Sequence, residues 1–190
     1  MTFVAPPDPT EAAEYYFRYI SQVPAGHICR ILEDQLEETF RLLDQVSEER
    51  SLYRYAPGKW SMRQVMAHVN DTERLFAFRA FWFARGFESE LPNFDQDWAM
   101  ARTNPDARSL SSHLQELRVI RRSSLALFAA LAPEAWDRRG MASGKPFSVR
   151  ALAYLCAGHL THHLKGLREH YLVPAGAESG SAFRARREES

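Results

Sequence analysis

The chain has 190 residues, of which 45% are hydrophobic and 12% aromatic, and its 24 basic side chains balance its 24 acidic ones. That length and aromatic content exclude a disordered chain and suit one folded unit with a real core. The zero net charge argues against a general nucleic-acid binder, which needs clustered cations, and the nearest basic cluster, Arg118, Arg121 and Arg122, reads as a solvated helix face.

The N-terminal MTFVAPPDPTEAAEYY is acidic and proline-rich and lacks an apolar signal core. No stretch approaches the roughly 20 apolar residues of a membrane span, so no membrane partner is expected. Cys29 and Cys156 are far apart and have no CxxC partner, which fits a reducing, cytoplasmic setting. After a proline-rich lead-in, Glu11 to Val23 carries Ala12, Tyr15, Tyr16, Tyr19 and Ile20 at helix-like spacing and predicts a short packing helix ended by Pro24-Ala-Gly26. The first long helix is expected from about His27 to Val46, because Ile28, Ile31, Leu32, Leu36, Phe40 and Leu43 recur at steps of three and four.

A loop centred on Pro57-Gly58 follows. Ser61 with Gln64 three residues on forms a capping-box pattern and opens a second long helix, which Gly86 stops. Residues 87–108 show no sustained period and read as a long ordered crossover or lid. Ser109 to Leu131 is the third helix. Residues 137–147 read as a glycine-containing loop, and Ser148 caps a fourth helix to about Tyr171. No repeat and no convincing strand is found. The expected fold is therefore all-α, a four-helix bundle with one domain over residues 1–174 and a polar, mobile tail over 175–190.

The fourth helix has an inward seam of Val149, Leu152, Cys156, His159 and His163. Two histidines replace apolar residues at consecutive seam positions, one turn apart on one face, where both can chelate one ion. His162 is also within chelating spacing of His159; the seam, not the spacing, selects His163. On the second helix Val65, His68, Thr72, Leu75 and Arg79 share a face, so His68 also points inward. Each histidine alone is more often a hydrogen-bonded core residue. Three of them on facing helices leave several ring nitrogens to satisfy in an apolar core, which favours a metal site.

Tyr53 to Gly86, YRYAPGKWSMRQVMAHVNDTERLFAFRAFWFARG, resembles the DinB-like four-helix-bundle family. The shared pattern is a Pro-Gly-Lys-Trp-Ser start at Pro57 to Ser61, then His68, Asp71, Glu73 and Arg74. A second match is the Gly-His and His-His of Gly158 to Leu164, and Leu91 to Trp98, LPNFDQDW, fits the crossover of one branch. The resemblance spans nearly residues 15–172. It implies an unusual bundle connectivity, frequent dimerisation and hence a homodimer. It also implies nickel or zinc held by His68, His159 and His163.

Three histidines leave coordination positions open, which leans toward catalysis. Metal-dependent hydrolysis is the first expectation. Transfer of a small-molecule thiol is the alternative, and a metal-stabilised or sensing bundle without activity is the reading from a different class. Asp71, one turn after His68, is the candidate catalytic helper; its competing role is a surface pair with Arg74. Asp95 and Asp97 are candidates to reach over the pocket, or helix caps. Trp60, Phe94 and Trp98 are candidate pocket walls, or core. Arg79, on the His68 face, is the candidate anion clamp for a glutathione-like thiol substrate.

Overall fold

The computed structural model describes residues 4–173. Two 3-10 turns, Pro9–Glu11 and Glu14–Tyr16, lead into a single helical turn, α1 (Phe17–Ile20). The remaining helices are α2 (Ile28–Leu43), α3 (Glu48–Ser51), α4 (Met62–Ala84), α5 (Gln96–Met100), α6 (Leu110–Ala129) and α7 (Val149–Gly166). A hairpin of β1 (Arg139–Ala142) and β2 (Lys145–Ser148) precedes α7.

The four long helices form where the periodicity placed them. On α4, Ser61 Oγ accepts from the Gln64 N–H while the Gln64 side chain accepts from the Ser61 N–H, both at 3.1 Å, so the capping box is closed. Its far end runs into Gly86, whose φ of +79° only glycine adopts freely. Ser109 caps α6 and Ser148 caps α7, each through its hydroxyl.

Both α2 and α4 pack against α6 and α7, so the order around the bundle is α2–α6–α4–α7. The consecutive long helices α2 and α4 are thus diagonal, and so are α6 and α7. The α4–α7 contact is the most extensive, and it is where the histidines lie.

A buried network holds this arrangement. Arg121 on α6 makes a two-pronged pair with Glu73 on α4, at 2.7 and 2.8 Å. Its remaining nitrogen donates to Leu32 O at 2.8 Å and to Gln35 Oε1 at 3.2 Å on α2. The Gln35 amide in turn reaches Ala157 O and Thr161 Oγ1 on α7. All four helices are tied together, and every nitrogen of the buried guanidinium has an acceptor.

Three expectations are corrected here, and the end of the fourth helix is refined. Arg121 is fully buried rather than on a solvated face. The segment from Glu11 is not one helix. Glu11 spends its carboxylate on the Asp8 N–H, Ser148 Oγ and Arg150, and Ala12 is drawn into an extended bridge to Phe147. Residues 139–148 form a hairpin rather than a loop. Its two-residue turn has Ser143 and Gly144 at φ of 56° and 67°, the left-handed pair that matches strand twist. The fourth helix is regular to Gly166 and ends in a π-helical turn, Leu167–Tyr171. The tail from 175 lies outside the described residues.

The crossover is ordered, with α5 inside it. Leu91 bonds the edge of β1 through Met141 O and the Ser143 N–H. Gly158 lets the α1 segment reach α7, since a Cβ there would lie 2.2 Å from Tyr19 O. No helix of the described residues is long and apolar enough to cross a membrane.

Candidate metal centre

His68 comes from α4; His159 and His163 are one turn apart on α7. Their seam phase turns all three toward the interhelical space. His159 Nε2 lies 3.0 Å from His68 Nε2 and 3.1 Å from His163 Nε2. Among the described residues this is the sole group of three or more potential ligands within 4.8 Å of one another.

Hydrogen bonding alone does not satisfy such a cluster. A neutral imidazole nitrogen offers either one N–H or one in-plane lone pair, and His159 Nε2 faces two neighbours at once. A cation serves all three lone pairs. Nitrogens bound at about 2.0–2.1 Å with angles of about 90–109° stand about 2.8–3.4 Å apart, which brackets the separations found.

The surroundings keep the rings neutral and so able to bind metal. Tyr19 and Phe76 pack edge-on to His159, and Trp60 lies against His68 with ring centres 5.1 Å apart. Burial pulls the His68 imidazole down to about 4 and His163 to about 3, helped by the charge each would meet on neighbouring rings. Burial also holds His159 well below the ordinary imidazole value.

The neighbouring candidates separate clearly. His162 is exposed and packs its ring on Tyr19 instead of joining the trio. Asp71 is not brought to the imidazoles; it faces Arg74 at 3.5 Å, with Glu116 and His113 of α6 nearby. The group beside His68 Nδ1 is Thr72 Oγ1, at 3.5 Å. Sequence reasoning placed Thr72 on this face but gave it no role, although Thr four residues after a ligand can reach back along the same helix face. Cys156, one turn before His159, is buried and outside the cluster.

Two cavities meet the trio. A smaller one of about 300 Å³ is lined by His68 and His159 together with Arg79, Phe94 and Asp95. A larger one of about 580 Å³ is lined by His163 and His162 with Trp60, Lys59 and Asp97. The crossover therefore does contribute to both. Asp95 also caps α5, accepting from the Asp97 and Trp98 N–H groups with one oxygen. Trp98 is exposed under the Arg102 guanidinium and lines neither cavity.

The sequence profile of the DinB superfamily matches residues 31–166. No curated protein matches the chain. Two solved structures from Bacillus subtilis are similar. One is YfiT, described as a probable metal-dependent hydrolase with an unusual four-helix bundle topology. It is 17% identical, with a TM-score of 0.66, over 89% of this chain and 92% of its own. The other is a DinB-like protein, YjoA, 19% identical with a TM-score of 0.55, over 77% of this chain and 90% of its own.

Proposed function

The chain belongs to the DinB superfamily, and on that footing we propose that it is a metal-dependent hydrolase whose ion is held by His68, His159 and His163. The observation that carries this is the convergence of three Nε2 atoms, from the buried His68 and His159 and the half-buried His163, 3.0 and 3.1 Å apart. The description of YfiT as a probable metal-dependent hydrolase supports it. So do the cavities, which give the trio access from outside, as a closed structural site would not need.

A divalent ion in that donor set supplies Lewis acidity and a water of lowered pKa. The protein's share is positional. Burial keeps the three imidazoles unprotonated at neutral pH. With Nε2 given to the ion, His68 would hold its proton on Nδ1, and Thr72 Oγ1 at 3.5 Å is the group placed to accept it. Tyr19, Trp60 and Phe76 exclude bulk water from the ring faces. Nickel or zinc is the proposed ion.

Metal analysis of the purified protein is the test. About one ion per chain is expected, lost in each of His68→Ala, His159→Ala and His163→Ala and retained in His162→Ala. Hydrolysis of an ester and amide panel should disappear on chelation and return with the ion. Full metal content after loss of His159 would sink the proposal.

A second reading, transfer of a thiol to an electrophile, is favoured by one observation: different members of the trio line different cavities, so two reactants have separate approaches. Turnover that requires an added thiol and yields a thioether would replace hydrolysis by transfer.

A further inference from the structure

Arg79 is 2% exposed, yet no carboxylate among the described residues pairs with it. Its Nη2 donates to Pro92 O at 3.1 Å and Ser143 Oγ at 2.8 Å, and its Nε has no acceptor at all. Its other neighbours are the Tyr16 hydroxyl and the Phe147 ring at 5.8 Å, and neither brings a negative charge, since burial raises the Tyr16 phenol above its ordinary value. A buried guanidinium met by neutral groups alone, with an orphaned Nε, is an expensive arrangement unless an anionic ligand completes it.

The ligand has a place to sit. Arg79 lines the same 300 Å³ cavity as His68 and His159. Both Arg79 and His68 belong to α4, 11 residues and about 16 Å of helix rise apart. On a helix the Cα–Cβ bond tilts toward the N-terminus, which is the direction of His68 from Arg79. The space between is walled by aromatic rings, among them Tyr15, Tyr19, Phe76 and Phe94. Asp95, the one acid on that lining, has an oxygen committed to capping α5 and is exposed rather than paired with Arg79.

We propose that Arg79 is a specificity-determining residue that receives the carboxylate of a small aromatic or alkyl monocarboxylate lodged in the cavity beside His68 and His159. This deepens the hydrolase reading and rests on it for the cavity's role as substrate site. A single buried cation balances a single negative charge, which selects a carboxylate over a phosphate dianion. The aromatic walls and the modest volume select a compact apolar body.

Calorimetry separates this proposal from the metal site. The probes are phenylacetate, its neutral analogue phenylacetamide, and phenyl phosphate, each titrated into chelator-treated and zinc-loaded protein. Phenylacetate is expected to bind at least about tenfold more tightly than the amide, the equivalent of one charge-assisted pair, in both preparations. Phenyl phosphate should bind more weakly than phenylacetate. In Arg79→Met the acid and the amide should bind alike, while metal content stays at the wild-type level; in Arg79→Lys part of the preference should return. Equal binding of acid and amide by the wild-type protein, or no binding of either, overturns the assignment. So does stronger binding of the phosphate. An acid preference seen with zinc and absent without it would place the carboxylate on the ion and not on Arg79. A protein that binds no metal but keeps the acid preference refutes the metal site and leaves Arg79 as assigned. The wild-type and Arg79→Lys ratios decide the matter even if Arg79→Met fails to fold.

Discussion

The bundle buries two polar regions that share α4 and α7, and they are finished differently. Around Arg121 each nitrogen has its oxygen: two go to Glu73, and the third goes to Leu32 O and Gln35. Around Arg79 and the trio the opposite holds. Arg79 has an orphaned Nε, and three imidazole nitrogens crowd one another at 3.0 and 3.1 Å. Arg121, used for architecture, closes on its neighbours, because an open valence in the core costs stability. On the function proposed above, Arg79 and the trio stay open toward a cavity for something that arrives from outside.

That contrast is easiest to break at its closed end. Glu73→Ala strips the counter-ion from a fully buried guanidinium and should destabilise the fold by about 3–5 kcal/mol in chemical denaturation. Arg79→Met should lose far less, since it removes a cation that has no acidic partner. Equal losses at the two sites would erase the distinction.

Gly158→Ala tests the packing that frames the open region. The new Cβ would meet Tyr19 O at 2.2 Å, and the flanking backbone must move. A loss of about 1–3 kcal/mol is expected in thermal or chemical unfolding. It should come with weakened metal retention, because Tyr19 packs on His159.

Much of this was legible in the sequence. The Ser61–Gln64 box, the Gly86 stop and the seam through His159 and His163 are local patterns, and each is found where expected. The seam rule also separated His163 from His162, which spacing could not. The same rule held for Arg121. It lies in phase with Leu114, Leu117, Ser124 and Phe128, all buried, but its charge outweighed its position. Its partner Glu73 lies 48 residues away, beyond any local pattern. The hairpin was hidden by strands of four residues containing Gly140 and Pro146, though Ser143-Gly144 is a turn dipeptide. The isolation of Arg79 is a fact about three dimensions: its face could be read, but the absence of a counter-ion could not.

Acid provides a milder probe of the open region. His68 and His163 have native values near 4 and 3, below the usual 6.5 that they regain on unfolding. The unfolded chain therefore binds more protons in between, so the metal-free protein should lose stability as pH falls from about 6.5 toward 4. Unfolding midpoints measured across that interval should decline steadily, and added metal should raise them without flattening the decline, because ligated rings take up no protons either. A flat profile in the metal-free protein would mean the rings are not desolvated.

The smallest effect is expected at Asp71. It is half-exposed and its pair with Arg74 is a surface contact. Asp71→Asn should change stability by less than about 0.5 kcal/mol and leave metal content intact. Loss of metal in that variant would bring Asp71 back to the trio as an orienting group.

The three imidazoles come from α4 and α7 alone, leaving α2 and α6 without a ligand. An ion there is a rivet through one seam of a four-sided barrel. It should not tighten the molecule evenly. Amide hydrogens of α4 and α7 would exchange more slowly with deuterated solvent when the ion is present, while those of α2 and α6 would keep much of their metal-free rates. The protein would then open, when it opens locally, along the α2–α6 side.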